Sequence, residues 1–534
     1  MTQPIIIPTV YNNPAVTTAE RTAAGDFKAW QAEVFLPDGG NNDLPTENAV
    51  IKSPFHTLTV NGISVPVYTA RCGKSPHSFA WIDVEAGTKA SEFVLDVVLT
   101  LDERASECGK CIVLPESRGV TAVKTDTVET RSRFLSQITE YGSFTYTFAK
   151  TEADAHTDPT QIPLTLMVTQ EVPLIVPDGY TILEVEAGYH GTDALEFTQS
   201  HTVYVMKPGL HGISSIGLPS DSVLYIARGA YLQVTDRKNA DGSPNTKTAI
   251  HADDAENVRI VSRGLLDCGK VLGGDRKFKH VFNVGRSRNV TVEGMTVVNA
   301  NTWTMCFYNS QNVTAEWNLL LSFRTYSDGI MMSECRDSAG RHNFVRTGDD
   351  AIEFKGTGWW GKNTSENCIY EHNDLWTDKG AGYCLTWESS CGMRNMVFRD
   401  NSVGFAQPTW TDRNTALDCL CGTDASVRWG DITFENIEIY HVISPNAINV
   451  QLSGAGAILD NILFRNITVS SAEAGVCAFR MADSADGGSI SGITLENVNF
   501  CGKTLSPHDI CDTGDTSLFR NEAAETFTGA LTVV

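Results

Sequence analysis

NVTVEGMTVVNANTWTMCFYNSQNVTAEWNLLLSF (289–323) holds the pattern on which the fold reading turns. An Asn-led run alternates apolar and polar residues, breaks at Gly294 and resumes as MTVVNAN. The arrangement returns 23 residues later as NVTAEWNLLLSF (312–323). Outward from there it recurs as NVRIVSRGLLDCG (257–269), NMVFRDNSVGF (395–405), DITFENIEIYH (431–441), NILFRNITVSS (461–471) and GITLENVNF (492–500). Each unit is two short strands meeting at a bend. A unit this small cannot bury its own apolar face, so neighbours must stack into a solenoid. There is no helical segment per unit, no regular leucine spacing and no fixed period, which excludes a leucine-rich solenoid and leaves a right-handed parallel β-helix. The recurring asparagine is expected to form hydrogen-bonded ladders at the bends.

Upstream the pattern differs. TLTVNGISVPVYTA (57–70), FVLDVVLTLD (93–102), SFTYTFA (143–149) and LTLMVTQEV (164–172) are β-branched or aromatic runs separated by Gly, Pro, Asp and Asn clusters. Short strands at this spacing read as a β-sandwich. The fold class is therefore all-β, an N-terminal β-sandwich followed by the β-helix. The expected divisions are an irregular lead-in at 1–50, a sandwich at 51–200, a catalytic β-helix at 201–505 and a C-terminal cap or tail at 506–534.

Composition narrows the function. The formal net charge of −23 argues against nucleic acid, which needs a Lys/Arg surface, and mildly against a polyanionic substrate. No apolar run is long enough to span a bilayer. The N-terminus MTQPIIIPTV lacks a basic region ahead of its apolar run, so a cytoplasmic location is expected, or an extracellular one if a leader has been removed. The cysteines are scattered. The single CxxC, Cys108 to Cys111, has no second pair to complete a zinc site, and buried free thiols are expected. No cofactor or metal is implied. Of the Asn-x-Ser/Thr triplets at Asn289, Asn312, Asn363 and Asn466, three lie in a repeated strand-edge context, which favours a structural role over glycosylation.

Within the solenoid, Tyr326-Ser327-Asp328-Gly329 is followed by Gly348-Asp349-Asp350. Asp328 and Asp350 are 22 residues apart, about one coil, and coils stack at about 4.8 Å. Asp328, Asp349 and Asp350 should therefore meet, with Gly348 giving the backbone freedom for adjacent aspartates to face out together. Carboxyls so crowded cannot all ionise freely, so one keeps its proton while another serves as a base. That is the equipment for splitting a glycosidic bond. After the pair, Ile352 and Phe354 resume a strand with Glu353 and Lys355 outward.

This pattern resembles the β-helical glycoside hydrolases of families 28 and 49, the polygalacturonase and dextranase relatives. Those families carry Asn/Thr-Asp-Gly, then Asp-Asp about one coil later, and invert the anomeric centre. The segment PGLHGISSIGLPSDSVLYIARGAYLQV (208–234) resembles their opening coil, and Asn301-Thr302-Trp303-Thr304 the coil before the first motif. The sandwich ahead of the solenoid is similar to the family 49 layout. Two departures matter. The Gly-His-Gly of the pectinases is matched by Gly382-Tyr383-Cys384, and their Arg-Ile-Lys has no counterpart in Thr415 to Cys421. Both losses point from galacturonan to a neutral glycan, an α-glucan of the dextran kind.

The resemblance implies that Asp349 is the general acid and that Asp328 and Asp350 hold the attacking water. Trp303, Trp359, Tyr383 and Trp387 are candidate sugar contacts, with Lys355 and Arg324 as hydroxyl partners. His342 and His372 read as structural. The expected partner is an oligo- or polysaccharide. The alternatives are a β-helical lyase, a pectinase-type hydrolase on an acidic glycan, or a non-catalytic carbohydrate-binding solenoid.

Overall fold

The computed structural model describes residues 4–11, 50–72, 76–101, 108–128, 131–149, 162–190, 195–235, 248–271, 280–407, 415–421, 427–444, 446–470, 479–483, 487–509, 518–521 and 530–534. Among them the regular elements are strands and three-residue 3-10 turns.

The sequence repeat is one coil of a parallel β-helix, but each coil has three strands, not two. The coil quoted above runs Arg288–Glu293, Thr296–Val298 and Met305–Tyr308. The next runs Gln311–Glu316, Leu319–Leu321 and Ile330–Ser333. Coils pair in parallel register, Val290 on Val313, Val297 on Leu320 and Phe307 on Met332. The first two strand columns join as a 22-stranded sheet and the third forms a 12-stranded sheet. The third strands escaped the repeat because stretches such as Ile330–Ser333 are buried on both faces and show no polar alternation.

The bends are built by asparagine. Asn257, Asn289, Asn312, Asn367, Asn395 and Asn461 hold φ between +52° and +57°, a region that asparagine tolerates better than most residues. Their amides form the expected ladder: Asn289 Nδ2 donates to Asn257 Oδ1 at 2.9 Å, and Asn312 Nδ2 to Asn289 Oδ1 at 2.8 Å. Asn466 does the same with Asn436 at the second bend, so the triplet asparagines Asn289, Asn312 and Asn466 are ladder members, while Asn363 Nδ2 donates to Asn309 Oδ1 away from the ladder. At that second bend Trp317, His342 and His372 stack, with ring centroids 4.1 and 4.9 Å apart.

A further ladder runs inside, through Asn318, Asn343, Asn373 and Asn401, all buried. Asn343 Oδ1 accepts both the backbone N–H and the side-chain Nδ2 of Asn318, each at 3.0 Å. In Asn343→Ala both donors lose their acceptor, and each unsatisfied buried group costs about 1–3 kcal/mol. The expected result is a stability loss of about 3 kcal/mol, read as a lower urea midpoint.

The solenoid core is continuous from Val185 to Val533. It is longer at both ends than the sequence divisions. Thr181–Val185 already pairs in parallel with Thr202–Met206, and Leu531–Val533 pairs in parallel with the strand containing Ile493. A lone coil strand such as TILEV alternates like a sandwich strand, and only its pairing tells them apart. From the lead-in, Ile6–Pro8 adds an antiparallel edge to the His77–Val84 strand, while 12–49 lies outside the described residues.

The sandwich consists of a seven-stranded and a five-stranded sheet around its own core, with Leu58 and Leu99 facing Ile82 and Phe144. It lies on the second strand column of the solenoid. There Leu319 and Leu321 pack with Tyr68, Phe79 and Trp81, while Leu320 points into the solenoid. The run of three leucines is thus a strand with apolar cores on both faces. Every described cysteine is free, and all but Cys501 are buried.

Candidate active site

The site is built on the turns that lead into the third strands. Backbone bonds fix the register across coils: Thr304 N–H donates to Asp328 O (2.8 Å), Gly329 N–H to Asp350 O (2.9 Å) and Ala351 N–H to Ala381 O (2.9 Å). Trp303, Asp328 and Asp350 therefore follow one another at the same coil position, as the 22-residue spacing requires. Asp349 is the extra residue of the turn. Gly348 is needed here for space, not for a left-handed backbone: a Cβ on it would collide with the Phe323 and Arg324 carbonyls of the preceding coil. Gly380 likewise lets the following coil lie against the Asp349–Asp350 peptide.

The three carboxylates are buried, and one oxygen from each lies within 4.8 Å of the others. Asp349 is held hard. Its carbonyl accepts the hydroxyls of Thr347 (2.6 Å) and Thr377 (2.7 Å). Its Oδ2 accepts the Tyr326 N–H at 3.2 Å and its Oδ1 the Asp350 N–H at 3.1 Å. Asp350 Oδ1 accepts the Ala381 N–H at 2.6 Å. Burial, reinforced by the charges of Asp328 and Asp350, holds the Asp349 carboxyl well above the usual carboxylate range. Burial, then Glu353, does the same for Asp328.

The structure adds a fourth carboxyl. Glu353 is fully buried, faces Asp328, and lies 3.5 Å from the Lys355 Nζ. The alternation Ile352-Glu353-Phe354-Lys355 showed that it points outward; what the sequence hid is that outward here means into the site. A cluster of this kind draws a cation, and the chain supplies one in the Lys355 ammonium. That ammonium lies 4.3 Å from the centroid of the Trp303 ring.

Beside the acids stands an aromatic wall. Trp303 stacks with His280 at 5.0 Å and with Trp359 at 5.7 Å, and Tyr308 stacks with Trp360 at 5.7 Å. The loop bearing Trp359 and Trp360 folds back over earlier coils, where Asn309 Nδ2 donates to Trp360 O at 3.0 Å. Trp359 is 59% exposed and offers an open ring, whereas Trp303 is partly covered by its neighbours.

Two expected contacts are corrected. Arg324 is fully buried and donates to the carbonyls of Val271 (2.6 Å) and Gly269 (2.9 Å), tying its coil to a neighbouring loop. Tyr383 points into the solenoid core, its register on Ile352 and its ring 5.1 Å from Phe398. Strand alternation decides this: the outward residue of that coil is Cys384, level with Glu353 and Asp418. Trp387 lies on the strand Tyr383–Ser389, and its side chain is outside the described residues.

No protein-family model and no curated protein matches the chain. Solved structures do. Dex49A from Penicillium minioluteum superposes with a TM-score of 0.61 at 11% identity, over 92% of this chain and 96% of that one. The chain has the Dex49A fold. An exopolygalacturonase from Thermotoga maritima aligns over 57% of this chain and 85% of its own, at 18% identity and a TM-score of 0.38. An endo-xylogalacturonan hydrolase from Aspergillus tubingensis aligns over 62% and 91%, at 13% identity and 0.42. In this chain the three aspartates lie on the turns that enter two strands of the 12-stranded sheet, Ile330–Ser333 and Ile352–Gly356.

Proposed function

We propose that the chain is a glycoside hydrolase acting on a neutral glycan, an α-glucan of the dextran type. The observation that carries the reading is the set of three buried aspartates from two successive coils, one of them held well above the usual carboxylate range by burial and by its neighbours. Asp349 gives its proton to the leaving oxygen. Asp328 and Asp350 grip the attacking water. Trp359 supplies the stacking face for a sugar ring. Four carboxyls set against one ammonium repel a uronate, which favours an uncharged substrate.

Inversion is the course that the family resemblance implies, and two carboxyls able to hold one water suit it. Incubating the protein with dextran, other α-glucans and pectate tests both levels. The expected result is new reducing ends from a neutral α-glucan, no ultraviolet-absorbing product, and an inverted anomer in the first NMR spectra. An unsaturated product means a lyase. Binding without cleavage means a recognition solenoid. A retained anomer makes one aspartate a nucleophile.

A further inference from the structure

Glu353 is the group in this site that the three-aspartate scheme leaves unused. It sits in the outward column of the 12-stranded sheet, register-paired with Met331 on one side and Cys384 on the other. Its carboxyl is fully buried and Asp328 is 3% exposed. Neither Glu353 oxygen accepts a hydrogen bond from an N–H or hydroxyl, and Asp328 Oδ2 accepts none either. Each carboxyl is among the groups that act on the other through the buried cluster. Asp350, by contrast, has a donor of its own, since its Oδ1 takes the Ala381 N–H at 2.6 Å.

A hydrogen bond between two carboxyl groups requires a proton on one of them. We propose that Glu353 is a positioning residue: it and Asp328 hold one proton between them, which leaves Asp350 as the carboxylate that acts on the water. The surroundings support this arrangement. Lys355, on the same strand, is the cation at 3.5 Å. The thiols of Cys306 and Cys384 face the same space, and burial raises both so that they stay neutral. Tyr308 is neutral for the same reason, and Asp418 lies one strand beyond Cys384. With four ionised carboxyls the site would hold three uncompensated charges out of contact with bulk water. With the shared proton and the Asp349 proton in place, it holds one.

The inference concerns the free protein and depends on the hydrolase reading only for its kinetic arm. The infrared C=O stretch of protonated carboxyls, measured at neutral pH on the full chain, counts the protons. Relative to wild type, D328N and E353Q should each lose one protonated carboxyl, and D328N/E353Q should lose no more than either single variant. Losses that add, or an unchanged count in E353Q, overturn the proposal. If E353Q does not fold, D328N alone decides it, since an unchanged count there has the same meaning. In the kinetic arm, E353Q lets Asp328 ionise as a second base, so the acid limb of kcat/KM should move down by about one pH unit, and E353D should restore it. An acid limb that stays put in a folded E353Q protein counts against the proposal. A wild type that cleaves no glycan overturns the hydrolase reading and leaves the proton count standing.

Discussion

Asp349→Asn is expected to lose about 10³-fold in kcat, within the range that a positioned general acid contributes. The amide keeps the shape of the side chain, and its oxygen can still accept the Tyr326 N–H that now meets Asp349 Oδ2 at 3.2 Å. What it cannot do is release a proton to the leaving oxygen. The interaction exists only in the transition state, so kcat and kcat/KM should fall together while KM changes little. Leaving-group dependence makes the test sharper. An aryl glycoside whose phenol departs without protonation should be cleaved by the variant at a rate close to wild type, and an unactivated glycan should not. Turnover near wild type on the unactivated glycan would remove Asp349 from the acid role.

The same substitution should stabilise the fold at neutral pH. Burial and the neighbouring charges raise Asp349 in the folded protein, whereas in the unfolded chain it titrates near about 3.9. Between those two values the folded state binds more protons than the unfolded one, so stability falls as pH rises through that window. The favourable contribution is complete below the unfolded value and is lost as pH climbs through the folded one. Asparagine does not titrate. Its urea midpoint should therefore exceed that of wild type at pH 7 and above, and the gap should close towards pH 4. A gap that widens on acidification would mean the carboxyl is stabilised in its ionised form.

What the sequence disclosed, and what it withheld, follows from periodicity. Alternation along NVTVEG and NVTAEW identified strands, and the Asn-led recurrence identified coils, because a half-buried strand shows its two faces in the order of its residues. The Asp328 to Asp350 spacing then followed from the coil length. Fully buried strands such as Met305–Tyr308 carry no such signature, so the third face, which is the face of the site, was located only through its acids. Tyr383 and Arg324 were misassigned for a related reason. Alignment to a motif says which coil a residue occupies, but a shift of one position turns it from cleft to core. The charged residue that sequence reading underused was Glu353, whose neighbours in space, Asp328 and Cys384, lie 25 and 31 residues away along the chain.

Asp83→Ala should give the largest stability loss of any single substitution proposed for this chain. Asp83 is fully buried where the sandwich meets the solenoid. Its Oδ2 accepts Arg228 Nη2 at 2.5 Å, its two oxygens accept Arg263 Nε at 2.9 and 3.0 Å, and its Oδ1 accepts the Thr169 hydroxyl at 2.5 Å. Arg263 has its own side chain 4% exposed and lies over the Trp81 ring at 5.2 Å. Removing the carboxylate leaves two guanidinium groups at the interface without their counter-charge, and breaking a buried pair from one side costs about 3–5 kcal/mol. The exposed pair Arg288–Glu256, with both side chains more than half exposed, should cost about 1 kcal/mol or less when Glu256 is replaced by Ala. Thermal unfolding followed by tryptophan fluorescence distinguishes local from global damage. Trp81 lies in the contact itself, so parting of the two layers should register there before the solenoid melts. The contact also reaches the acid cluster. Arg346, fully buried, pairs with Asp378 at 3.0 Å and meets His77 of the sandwich at 3.1 Å, and Thr377, the residue before Asp378, holds the Asp349 carbonyl. A sandwich loosened by Asp83→Ala should therefore lower kcat as well as the melting temperature, even though Asp83 touches neither substrate nor acid. Loss of stability with full turnover retained at low temperature would show that the solenoid sets the geometry of the acid turn without help from the sandwich.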